Sequence, residues 1–67
     1  MNSKLFRSIM LIKGDTNKTL AEFLHISEVS VSNKINENGT EFKQGEISAI
    51  RSRYNLTAEQ IEEIFFA

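Results

Sequence analysis

A chain of 67 residues has room for one domain, and at that size only about 60% of the unfolded surface becomes buried, so stability must be modest. With no cysteine and a single histidine, His25, it has neither a disulfide framework nor the ligands of a metal site, and no cofactor is expected. Hydrophobic residues make up 40% and charged residues 25%, and the net charge of −1 is an ordinary globular balance, without the basic excess usual in nucleic-acid binders.

Leu5, Ile9 and Ile12, with Phe6 and Met10 beside them, recur at helical spacing and predict a first helix over 3–13. Gly14 follows, where a left-handed C-terminal cap is expected. Thr16 is the candidate N-cap of a second helix at about 17–24, with Leu20, Ala21 and Leu24 inward. His25-Ile26-Ser27 interrupts the pattern. The Ser27 hydroxyl suits a helix start, so a third helix is placed at 28–36, with Val31 and Ile35 inward and Val29 on another face.

Asn36-Glu37-Asn38-Gly39-Thr40 is polar throughout and reads as a loop. Ile47, Ile50 and Tyr54 mark a fourth helix at roughly 44–54, with Leu56 anchoring the turn beyond it. Thr57-Ala58-Glu59-Gln60 matches a capping box and starts a last helix at 58 that runs to the end, with Ile61, Ile64 and Phe65 inward. Phe65 and Phe66 are adjacent, so only one can pack inward. No stretch alternates with a period of two. The predicted class is all-α, with five short helices in a single domain over 1–67.

The most informative stretch runs from Asn17 to Asn36. Two short helices cross steeply only where their contact is small and the turn is tight. Ala21 is the small residue at the crossing, Val31 faces it, and Ile26 plugs the turn. Leu20, Leu24 and Ile35 complete the shared apolar face. Glu28, Val29, Ser32 and Asn33 are left pointing outward from the third helix, at a place a major groove can admit.

Leu20-Ala21, Leu24, Ile26-Ser27, Val31-Ser32 and Asn33-Lys34-Ile35-Asn36 resemble the helix-turn-helix of the Cro and phage-repressor (XRE) family, and the chain looks like small phage- or prophage-encoded proteins of that family. The five-helix order fits the lambda-repressor-like layout. Two departures stand out. His25 occupies a left-handed turn position where the family has Gly, and His tolerates that conformation better than most residues. Asn17 stands where Gln commonly contacts a phosphate.

The resemblance implies a sequence-specific regulator of transcription bound to double-stranded DNA. Glu28, Val29 and Asn33 would touch base edges: a cytosine amino group, a thymine methyl and an adenine edge, respectively. Asn17, Lys18, Ser32, Lys34, Asn36 and Lys43 would hold the backbone, with amides at the starts of the second and fourth helices. Two copies are expected on half-sites about 34–36 Å apart, a homodimer meeting through the fourth and fifth helices.

Charge distribution qualifies this picture. Through residue 34, five cations stand against three anions, a net +2; beyond it, three stand against six, a net −3. Glu28 is favoured at a helix start by the dipole alone. These features recommend an alternative: a protein-binding modulator that pairs with a repressor instead of reading DNA. An enzyme is not expected, because there is no phosphate-cradling glycine loop, no cysteine and no second histidine, and no small-molecule substrate is expected either. No apolar run approaches the roughly 20 residues that span a bilayer, and Met1 to Arg7 lacks a signal-peptide pattern. A cytoplasmic protein without membrane contact is the expectation.

Overall fold

The computed structural model describes residues 1–66. Five helices follow in order: α1 Ser3–Ile12, α2 Asn17–Leu24, α3 Glu28–Ile35, α4 Gln44–Tyr54 and α5 Ala58–Phe65. The described residues contain no strand, and no helix among them is long and apolar enough to cross a membrane. Each predicted helix is present, but α1 and α3 are one residue shorter than the sequence pattern suggests, and α5 stops at Phe65 instead of running to the end, where Ala67 lies outside the described residues.

The starts follow from side-chain caps. Asn2 Oδ1 accepts from the Leu5 amide at 3.1 Å, and Ser27 Oγ from the Ser30 amide at 3.0 Å. Thr57 and Gln60 form the reciprocal box that the sequence announces, at 3.1 and 2.9 Å. A second box joins Thr16 and Thr19, at 3.2 and 2.8 Å. Each such cap contributes about 1 kcal/mol. Helix α4 differs, because its N-cap is Lys43, whose side chain has no acceptor. Only the return half of a box forms, with Glu46 Oε1 accepting from the Lys43 amide at 2.8 Å.

The ends share one device. Helices α1 to α4 are each followed by a residue at positive φ: Gly14 (76°), His25 (59°), Glu37 (54°) and Asn55 (54°). The next amide in each case reaches back to a carbonyl near the helix end: Asp15 to Met10, Ile26 to Ala21, Asn38 to Asn33 and Leu56 to Arg51, at 2.8 to 3.1 Å. Together with the shorter bond from the left-handed residue itself, this is the Schellman closure. The residue that follows is thereby aimed. Leu56 is buried and Ile26 half-buried against the core.

Phe6 sits at the centre with no exposed surface. Its ring lies 5.6 Å from Phe42, 5.8 Å from Phe65 and 6.3 Å from Tyr54, all tilted, an arrangement favoured by aromatic quadrupoles. Met10, Leu20, Val31, Ile35, Ile50, Ile61 and Ile64 close the core around this cluster. Phe65 is the inward member of the terminal pair, and Phe66 remains 66% exposed. The connection between α3 and α4 also gives the core Phe42, a residue its polar sequence context did not mark.

Asp15 staples the α1–α2 connection to the last turn of α4. Its carboxylate accepts from Arg53 Nε at 2.7 Å and Nη2 at 2.8 Å, from the Tyr54 hydroxyl at 2.6 Å and from Thr19 Oγ1 at 2.6 Å. The bonded Arg53 guanidinium holds the carboxyl well below its ordinary range despite burial, with Thr19 and Tyr54 adding to the effect. Burial, with Asp15 as acceptor, pushes the Tyr54 phenol well above its usual value. The exposed Arg53 guanidinium also lies 4.5 Å over the Phe23 ring, a cation–π contact.

Candidate nucleic-acid interface

Helices α2 and α3 make the most extensive helix–helix contact among the described residues. They are joined by the three residues His25 to Ser27. His25 takes the left-handed conformation expected of it, with φ 59° and ψ 39°. Without that reversal the Ile26 amide could not return to Ala21, and α3 would not start where Ser27 caps it. Ala21 is buried, Val31 is fully buried, and Ile26 closes the corner.

Helix α3 has a clear inside and outside. Val31, Lys34 and Ile35 are its buried residues. Glu28 and Val29 are exposed, Val29 by 68%, while Ser32 and Asn33 are half-buried. Positions four apart on a helix lie one above the other, so Glu28–Ser32 and Val29–Asn33 make two short rows on one side. The three residues expected on base edges are thus brought together on the first two turns of α3. The helix start carries the positive end of the dipole, and Ser27 leaves the first amides of the turn free of a side-chain acceptor.

The expected backbone contacts divide. Lys18 and Lys43 are exposed, at or beside the starts of α2 and α4, and Asn17 is half-buried at the first position of α2. Asn36 is exposed beyond α3, but its Oδ1 accepts from the Arg7 guanidinium.

Lys34 is a correction. Its residue is 7% exposed, and its ammonium donates to Glu46 Oε1 at 2.9 Å and lies 3.5 Å from the Glu41 carbonyl oxygen. A phosphate would have to displace Glu46 and draw the ammonium out of the protein, so Lys34 ties α3 to α4. Glu46 answers in kind: burial pushes its carboxyl up, but the Lys43 amide and the Lys34 ammonium outweigh that and hold it below the ordinary value.

Arg7 is a further cation near α3 that no motif in the sequence marks. It is exposed on α1, and through Asn36 it sits beside the end of α3. Its only sequence signal was its place in the more basic half of the chain. Among the described residues no group of three or more His, Asp or Glu side chains is placed to hold a metal ion.

Compared with known proteins, the chain matches no family model, no curated protein and no solved structure at significant similarity. The corner between α2 and α3 and its outward residues are therefore what any functional assignment must rest on.

Proposed function

We propose that this protein is a sequence-specific double-stranded DNA-binding regulator of transcription, a lambda-repressor-like helix-turn-helix domain of the phage-repressor type. The observation that carries this is the corner of α2 and α3: Ala21 and Val31 buried at the crossing, with Glu28 and Val29 standing free at the start of α3. A helix so held can enter a major groove by its first turns. Val29 offers uncovered apolar surface to a thymine methyl, Asn33 an amide that can pair with an adenine edge, and Glu28 an acceptor for a cytosine amino group. Lys18, Lys43 and Arg7 are the cations available to phosphates, with Asn17, Ser32 and Asn36 as neutral donors. Lys34 is not among them.

Binding to random-sequence duplex at low salt, followed by selection of a preferred site, tests this directly. With two or three phosphates neutralised per copy, log K should fall against log salt with a slope of about −2 to −3 per copy. Asn33→Ala should alter the selected sequence. Lys18→Ala should weaken all duplexes alike and make the slope shallower by about 0.9. No duplex retention at low salt would end the proposal.

A second reading is favoured by the loss of Lys34 from the free cations and by the exposed carboxylate of Glu28. In it the same face of α3 binds a repressor protein and modulates it. Co-purification with a repressor, disrupted by Glu28→Lys, would select this reading over the first.

A further inference from the structure

The connection between α3 and α4 contains the pair Asn38-Gly39. Asn2, Asn17, Asn33, Asn36 and Asn55 are each followed by a residue with a side chain. An asparagine side-chain carbonyl carbon and the next backbone nitrogen can close a five-membered ring, and a side chain on the next residue crowds that approach. Glycine has no Cβ to obstruct it.

The fold leaves this pair open as well. Asn38 and Gly39 are exposed and lie outside any helix. Beyond its chain neighbours, no atom stands within 4 Å of where a Gly39 Cβ would be, and a shallow hollow over Glu37, Gly39, Thr40 and Glu41 admits water. The Gly39 amide donates to the Glu37 carbonyl at 3.0 Å, a bond that spans two residues and restrains little. By contrast, Asn17 and Asn33 lie within α2 and α3, and the amide after Asn55 is committed to Arg51 at 3.0 Å.

We propose that Asn38 is a self-modification site, where a one-way conversion of amide to carboxylate adds a negative charge beside the end of α3 and loosens the α3–α4 connection. Hydroxide takes the Gly39 amide proton, and the nitrogen attacks Asn38 Cγ. The N–Cγ bond forms, the Cγ–Nδ2 bond breaks, and ammonia leaves with a proton returned from water. Water then opens the cyclic imide at either carbonyl. Cleavage at Cγ restores the main chain with an aspartate, and cleavage at the Asn38 main-chain carbonyl leaves an isoaspartate whose backbone runs through Cγ. The sum is one water consumed and one ammonia released, with no oxidant or reductant.

The position gives the conversion consequences. The new carboxylate joins Glu37 and Glu41 at the end of α3 that carries the negative pole of its dipole. The isoaspartyl product also lengthens the main chain just before the stretch that brings the Glu41 carbonyl to Lys34 and Phe42 into the core. This goes beyond the reading of α3 as a DNA reader and holds whichever partner α3 takes.

Ageing of the full chain in mildly alkaline buffer, followed by anion exchange and mass mapping of peptides, tests it. An acidic form should grow with first-order kinetics, at a rate proportional to hydroxide and independent of protein concentration. The gained charge should map to Asn38, split between aspartyl and isoaspartyl products. Asn38→Gln should stop it, since the longer side chain needs a six-membered ring. The folded chain should convert within about tenfold of the rate of the urea-unfolded chain, as in a loop that opens at little cost. The purified isoaspartyl form should have a lower urea midpoint than the parent, and Asn38→Asp, which adds the charge alone, should show a smaller fall. Charge gained equally at the other asparagines, an acidic form that persists in Asn38→Gln, a folded chain protected by more than about tenfold, or an isoaspartyl form as stable as the parent would overturn the proposal. No duplex is present, so failure here is distinct from failure to bind DNA.

Discussion

Helix α4 is held at both ends by a carboxylate, and the two attachments are built differently. At its end, Asp15 comes from a distant connection and gathers Arg53, Tyr54 and Thr19 on two oxygens. At its start, Glu46 belongs to the helix itself and takes one ammonium, from Lys34, and one amide, from Lys43. A guanidinium is planar and meets a carboxylate with two parallel bonds, whereas an ammonium is a point charge on a flexible stem. The first attachment thus fixes direction as well as distance. Its removal also strands the Tyr54 phenol in the core and leaves the exposed Arg53 guanidinium to solvent and the Phe23 ring.

The largest expected effect follows from that asymmetry. Asp15→Asn keeps the shape but turns an amide NH2 toward donors, leaving Arg53 and Tyr54 partly unsatisfied. Allowing for the exposure of Arg53, we expect a loss of about 2–3 kcal/mol and a fall in Tm of roughly 10–20 °C for a domain this small. A Tm within about 3 °C of the parent's would show that the two ends of α4 are not held unequally.

Acid sharpens the same comparison. The folded Asp15 holds its charge to lower pH than an unfolded aspartate, whose pKa is about 3.9. Its contribution is therefore complete above the unfolded value and is lost as pH falls from there toward the folded one, by up to about 1.4 kcal/mol per pH unit. Glu46 is shifted in the same direction and adds to the slope. Urea midpoints at pH 7, 5, 4 and 3 should decline steeply only at the last two. Asp15→Asn should flatten that decline. A parent protein equally stable at pH 7 and pH 3 would contradict the depressed carboxyl.

At the other end of α4 the effect should be smaller. Lys34→Met keeps the aliphatic stem and leaves Glu46 its bond from the Lys43 amide and some contact with solvent. A loss of about 1–2 kcal/mol is expected. Pairing Lys34→Met with Glu46→Met should recover much of it, since a buried ion pair often does no better than a packed apolar one. The reassignment of Lys34 is tested in the same variants: the salt slope of duplex binding should match the parent's. A slope shallower by about 0.9 would return Lys34 to the phosphates.

What could be read from the sequence was local. Thr16, Ser27 and Thr57 name their helix starts through bonds three residues long, and Gly14 names an end. The corner of Ala21, Ile26 and Val31 was legible because the apolar spacing within α2 and α3 already faces those residues at one another. Asp15 was not legible as a hub: its partners lie 38 and 39 residues away, and nothing in Gly-Asp-Thr separates it from a turn residue. Phe42 was hidden by a polar loop. Lys34 is a different case. Val31, Lys34 and Ile35 fall at the i, i+3, i+4 spacing of one helix face, which lies inside, whereas the family resemblance alone put Lys34 against the DNA backbone.

The smallest predicted effect concerns the backbone just beyond the Arg53–Tyr54 attachment. Asn55 turns the chain left-handed so that the Leu56 amide can reach Arg51 and the Leu56 side chain can enter the core. Asn is among the few non-glycine residues that adopt this conformation readily, because its short amide can bond locally. Asn55→Ala should cost about 0.5–1 kcal/mol, and Asn55→Gly should change stability by only a few tenths, as expected if the turn needs permission at φ and little else. Chemical denaturation of the two variants side by side decides it. If Ala were tolerated and Gly were not, the α4 end would be held by its side-chain attachment to Asp15 alone, and the left-handed closure repeated at four helix ends would contribute nothing here.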